Sequence, residues 1–368
     1  PEEIISLHIG EPKGQAPEEA LEVIFNNSDT FSKYPTSVGD FSLREAYSRW
    51  LSERFSVDYI NPDLNVLPLS GTREGIFSFI QCAIDTSKEN PKVLLPNPFY
   101  KIYEGAAIMA GAEPYYVNSE ESNGFKPDFA SIPESVWKDC QLLILCSPSN
   151  PTGYCLDKKE YKELLSKAEK YNFLLCSDEC YIDIYESNAH PPVGLLECDD
   201  LSEPNSKSVV FHSLSKRSNL AGLRSGFICA GKEVIEKLSL YRTYHGVTLS
   251  FPAQKASTWA WSDKDHVQAN RLEYDKKYKT AISCLDSIED LERPQGGFYF
   301  WLKLPCDDEI FAKTLYQEES VLSLPGSYLA TENNGFNPGK GYLRLAVVHD
   351  IETITKAFNA VNKTLKKF

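Results

Sequence analysis

Short, mainly apolar runs alternate along this chain with longer stretches whose apolar residues recur at helical spacing. This alternation limits the architecture more than any other feature. Six such runs, at 92–95, 113–117, 142–146, 173–176, 209–211 and 227–230, read as strands. Continuous apolar runs of this length suit strands covered on both faces, as in a parallel α/β sheet. Between and before them, 41–55, 76–84, 100–110 and 158–171 read as helices, with Ser70 or Thr72 as the expected cap of the second. After about Gly246 the pattern changes. A long polar helical stretch is expected over 252–286, strands at 298–302 and 342–347, and a last helix over 351–365. The apolar run 4–9, turned by Gly10-Glu11-Pro12, is expected to return to this later part. The reading gives an N-terminal segment 1–35 that joins the small domain, a large domain 36–250 and a small α+β domain 251–368.

Composition excludes several classes. A chain of 368 residues with 42% hydrophobic content can bury a large core, so disorder and fibrous folds are out. Lys and Arg number 38 against 52 Asp and Glu, giving 38 − 52 = −14. That field repels polyphosphate, so no nucleic-acid partner is expected. An anionic ligand would need a site with its own positive groups. No apolar run approaches the ~18 residues of a membrane helix, and no membrane partner or signal peptide is expected. Ten irregularly spaced cysteines fit a reduced, cytoplasmic protein. Cys176 and Cys180 lack a partner pair at zinc-like spacing, so no metal is expected. Pro1 leads straight into the run 4–9, and a natural N-terminal segment is expected ahead of it.

Ligands of open α/β sheets bind beyond the carboxyl ends of the strands. Asn150-Pro151-Thr152-Gly153, Asp178-Glu179-Cys180-Tyr181 and Ser213-Leu214-Ser215-Lys216 all follow expected strands, and Ser70-Gly71-Thr72 opens a helix. Singly each is a turn, a cap or a solvated charge. Together with Gly222-Leu223-Arg224, they resemble the class I/II pyridoxal-phosphate aminotransferases of fold type I, and the likeness runs from Gly10 to Arg344. Ser-x-Ser-Lys with an arginine eight residues after the lysine is its most specific block.

The resemblance implies a large domain built on a mostly parallel seven-stranded sheet covered by helices on both faces, a smaller α+β domain, and pyridoxal 5′-phosphate as cofactor. It implies that Lys216 holds the cofactor as a Schiff base and shuttles protons. Asp178 would pair with the pyridine nitrogen, and Asn150 and Tyr181 would donate to the 3-oxygen. Ser70, Gly71, Thr72, Ser213, Ser215 and Arg224 would hold the phosphate, with Tyr100 stacked on the ring. Arg344, beside Gly10, would read the substrate carboxylate with its fork of donors. Tyr34 would reach the neighbouring subunit's phosphate, which implies a homodimer with shared sites.

Within the family, the wording of 96–107, 213–218 and 70–74 resembles bacterial N-succinyl-LL-diaminopimelate aminotransferases. This implies ping-pong transfer between glutamate and N-succinyl-2-amino-6-oxopimelate, in lysine precursor synthesis. A second cationic reader is then expected among Arg73, Lys101, Arg217 and Arg242. Alternatives are an aspartate, aromatic or branched-chain aminotransferase, or a C–S β-lyase on the same scaffold. A non-catalytic binding module is disfavoured, because no basic patch or helix-turn-helix block is visible.

Overall fold

The computed structural model describes residues 4–368. Its strands are β1 (Ile5–Ser6), β2 (Val66–Leu69), β3 (Lys92–Asn97), β4 (Glu113–Asn118), β5 (Cys140–Cys146), β6 (Leu174–Asp178), β7 (Ser208–Ser213), β8 (Gly226–Ala230), β9 (Tyr299–Lys303), β10 (Val321–Leu322), β11 (Leu324–Pro325) and β12 (Tyr342–Ala346). Seven of them form the large sheet in the order β2-β8-β7-β6-β5-β3-β4. Only β8 runs antiparallel, against both β2 and β7. The expected mostly parallel seven-stranded sheet is therefore present.

Strands β6 and β7 run further than their apolar runs, because the ladder continues through Ser177, Asp178 and Ser213, all polar and all buried. Strand β2 lies outside the apolar runs that predict strands, and it contains Pro68. The position is tolerated because β2 is an edge of the sheet, where a missing N–H need not leave a gap in the ladder.

Side chains alternate across the sheet and feed two cores. Leu143, Leu145, Leu175, Val210 and Phe227 pack with Trp50 and Trp261 on one face. Leu142, Ile144, Cys176, Val209, Phe211 and Ile228 pack with Ile76, Phe79 and Leu238 on the other. Each such side chain, fully buried, is worth roughly 1.5–3 kcal/mol relative to exposure. Two-sided burial is why these strands carry no polar alternation.

The small domain is the antiparallel sheet β11-β12-β9 backed by helices Asp308–Glu319 and Ile351–Leu365. Strand β1 pairs in parallel with β10, so the chain start returns to this domain. Two boundaries need correction. The helical stretch 252–286 is two helices, Phe251–Ser262 and Asp265–Cys284. The break holds because the Asp263 carboxylate accepts from the backbone N–H of His266 at 2.9 Å. The first of the two packs on Glu18–Asn26 and Phe41–Phe55 and inserts Trp261 into the large-domain core. Residues 251–262 thus belong with the large domain, as does helix Glu18–Asn26 of the N-terminal segment.

Candidate active site

Strands β5, β6 and β7 are parallel neighbours, so their carboxyl ends lie side by side. Asp178 is the last residue of β6. Ser213 ends β7 and caps a one-turn helix, Leu214–Arg217, by accepting from Ser215 N–H at 3.1 Å. That turn carries Lys216. The loop after β5 carries Asn150, while β12 of the small domain supplies Arg344.

These groups converge on a cleft of about 480 Å³. Of the expected site residues, Gly10, Thr72, Tyr100, Asn150, Asp178, Tyr181, Ser213, Ser215, Lys216, Arg224 and Arg344 line it. Gly71 lies directly under Arg224. Ser70 is set back, its N–H donating to Glu74 Oε2 at 3.3 Å. Tyr34 is fully exposed and does not line this chain's cleft.

Among the described residues, the lysine and arginine side chains Arg73, Lys216, Arg224 and Arg344 line the cleft against the single carboxylate Asp178. It is a cationic pocket inside an acidic protein, as an anionic ligand requires. The Lys216 amine donates to the Gly10 carbonyl. Burial, aided by Arg344 and Arg73, pulls it down to about 8 although Cys180 and Glu11 oppose the fall. Burial pushes the Asp178 carboxyl above the usual range, opposed by hydrogen bonds from Cys180 and Tyr103 and by the Lys216 charge.

One end of the cleft is shaped for a phosphate-like group. Helix Thr72–Ala83 starts there, and neither Ser70 nor Thr72 caps it. The expected cap is absent: Thr72 Oγ1 lies 3.1 Å from Cys180 Sγ instead. The first N–H groups stay open, which is the anion site a helix start offers. Gly71 has φ +86°, and a Cβ there would meet Arg224 Nη2 at 2.3 Å, so glycine lets the guanidinium lie on the helix start. Arg224 itself bonds the Ala221 carbonyl at 2.8 Å through Nη1. Open N–H groups, Ser213 and Ser215 hydroxyls and Arg224 suit a phosphate. The buried Asp178 and the depressed Lys216 suit a pyridine nitrogen and an aldehyde. The donor set therefore fits pyridoxal phosphate.

The other end suits a carboxylate. Arg344 donates from Nη1 to Asn150 Oδ1 at 2.8 Å and from Nη2 to the His8 carbonyl at 2.7 Å. Its buried Nε has no partner among the described residues. Asn150 has its carbonyl end held by Arg344, which leaves its NH₂ free to donate. The guanidinium lies 4.3 Å from the Tyr299 ring centroid. Tyr299 Oη is 3.2 Å from Tyr181 Oη. A Cβ on Gly10 would fall 1.6 Å from Tyr299 Oη, so only glycine fits there.

Of the four candidate second cations, only Arg73 faces the cleft. Lys101 is tied to Thr331 Oγ1 at 2.8 Å. Arg217 is buried against Asp183 at 2.7 Å, and Arg242 against Glu74. Sequence reading missed Tyr103, Cys180, Tyr299 and His8, which also line the cleft. Glu179, though inside the Asp-Glu-Cys-Tyr block, points into the core beside His212 at 3.4 Å. Burial pushes the Glu179 carboxyl up and the His212 imidazole down, so it favours the neutral form of both.

The sequence model of the family described as aminotransferase class I and II matches residues 2–361. This chain is a class I/II aminotransferase. It is 32% identical over 374 residues to the LL-diaminopimelate aminotransferase of Aquifex aeolicus, covering 99% of this chain and 92% of the relative. An aminotransferase from Neisseria meningitidis superposes with a TM-score of 0.93 at 40% identity, over 99% of this chain and 93% of that one. A probable N-succinyldiaminopimelate aminotransferase from Thermus thermophilus gives 0.85 at 26%, over 98% and 95%. The aminotransferase uses pyridoxal phosphate and acts on small amino and keto acids. Among the described residues, no helix is long and apolar enough to cross a membrane.

Proposed function

We propose that this aminotransferase moves an amino group between glutamate and the keto precursor of a diaminopimelate-type substrate, in the synthesis of lysine and its precursors. The kinship with the Aquifex enzyme supports the substrate class, and Arg73 at the cleft supports a carboxylate at the far end of the substrate. LL-diaminopimelate is the first reading, and its N-succinyl derivative the second, favoured by the Thermus relative.

When bound, the cofactor supplies an electron-withdrawing ring that takes up the charge left as a proton departs from Cα. In this reading Lys216 holds the cofactor and moves that proton, helped by burial that pulls its amine down to about 8, towards the neutral, reactive form. Asp178 holds the ring nitrogen cationic, while Asn150 and Tyr181 donate to the 3-oxygen. Tyr100 covers the ring. Gly71, Thr72, Ser213, Ser215 and Arg224 secure the phosphate. Arg344 grips the α-carboxylate beside Gly10, fixing Cα relative to Lys216.

A panel of amino donors with 2-oxoglutarate tests the substrate. LL-diaminopimelate is expected to give the highest kcat/KM; a preference for aspartate or an aromatic amino acid overturns the assignment, and a preference for the succinylated donor selects the second reading. Arg73→Ala is expected to raise KM for the preferred substrate roughly 10- to 100-fold, as loss of a charged hydrogen bond does. Alanine as donor, lacking a distal carboxylate, should change less than about threefold.

The same reading makes the enzyme a homodimer, with Tyr34 completing the partner's phosphate site. Tyr34 is 100% exposed, and Phe25 and Phe31 nearby in sequence are 78% and 62% exposed. These exposed aromatic side chains support a partner contact along this segment. A monomeric mass in sedimentation equilibrium would falsify this.

A further inference from the structure

Asp178 is 4% exposed, and a buried carboxyl favours its neutral form. A neutral acid cannot hold a pyridine nitrogen cationic, so the site needs something that keeps the proton off. The titratable groups around it are the thiols Cys146, Cys176 and Cys180, which burial keeps neutral, the phenols of Tyr100 and Tyr103, and the Lys216 amine. Lys216 is not available as a lasting counter-charge, because it is the residue that must lose its proton and move.

Helix Ile102–Met109 supplies the remaining contact. Tyr103, 1% exposed, donates its hydroxyl to Asp178 Oδ2 at 2.6 Å. The Cys180 N–H donates to Oδ1 at 3.2 Å, so both oxygens are held and the carboxylate cannot turn. The Tyr103 ring meets Tyr100 edge-on at 5.7 Å and 88°, which fixes the phenol laterally. Burial keeps the phenol protonated far above its ordinary range, so it remains a donor at every working pH.

We propose that Tyr103 is a positioning residue: its hydroxyl holds Asp178 ionised and aimed, and so sets how strongly the protein grips and polarises the cofactor ring. The role is independent of which amino acid is the substrate.

Tyr103→Phe keeps the ring contact and removes only the donor. It is expected to weaken pyridoxal phosphate binding roughly tenfold, the scale of one hydrogen bond to a charged group. The cofactor-loaded variant should also show its visible absorption change at higher pH, by about 0.5 unit or more. A less ionised Asp178 leaves the ring less cationic, so the nitrogen joined to Lys216 keeps its proton longer. A merely structural role would lower Tm and leave that midpoint in place.

The second comparison is Asp178→Asn with and without Tyr103→Phe, a pair that buries no carboxylate and tolerates loss of the phenol. If Tyr103 acts through Asp178, adding Tyr103→Phe to Asp178→Asn changes cofactor affinity less than about twofold. An unmoved absorption midpoint in Tyr103→Phe, or a full additional tenfold loss in the double variant, overturns the proposal.

Discussion

Lys216→Ala is expected to lower kcat by more than about 10⁴-fold while leaving the fold intact. Positioned proton transfer alone accounts for about 10²–10⁴-fold, and the lost covalent anchor adds to it. The side chain is partly buried on a one-turn helix and its only hydrogen bond among the described residues is to the Gly10 carbonyl, so truncation costs little packing. Circular dichroism and melting should match the parent within a few degrees; comparable activity in the variant would remove Lys216 from the mechanism. The depressed pKa adds a pH signature. Burial favours the neutral amine, so in the cofactor-free protein the reactive form grows as pH rises through about 8 and saturates above it. Stopped-flow capture of pyridoxal phosphate should therefore accelerate between pH 7 and 9 and then level off. An amine at its ordinary value near 10.4 would keep accelerating past pH 10.

Arg344→Lys is expected to reduce kcat/KM roughly 10²- to 10³-fold, mostly through KM. The charge survives but the fork does not, and a carboxylate wants two parallel donors. The lysine would also forsake Asn150 Oδ1 or the His8 carbonyl, because it cannot span both as the guanidinium does. Removing one partner of a buried charged contact costs about 2–5 kcal/mol, which sets the range. Steady-state kinetics with an α-amino acid check it; a change below tenfold would mean that another group carries the carboxylate.

Much of this was legible in the chain. The apolar runs located six of the seven large-sheet strands, since two-sided burial leaves that imprint directly. The missed strand, β2, carries a proline that only an edge position permits, and edge position is a tertiary fact. The helix boundary at Asp263 was hidden because one side-chain cap, not a glycine or proline, makes it. Lys216 and Arg217 are adjacent and both basic. Only the turn they share sends one into the cleft and the other onto Asp183, so sequence left Arg217 among the candidates. Tyr103 was out of reach for a similar reason: it meets Asp178 across 75 residues, and nothing in local spacing announces the contact. Glu179 sits in the most telling block yet serves the core, because consecutive residues past a strand end need not share a direction.

Arg344 comes from the small domain and Asn150 from the large one, so the bond between them crosses the seam of the molecule. A ligand that brings its own acid group to Arg344 inserts itself into that seam. An alkylamine without one has nothing to offer there. If Arg344 reads the substrate carboxylate as proposed, discrimination against such amines would arise from how the two halves are tied together.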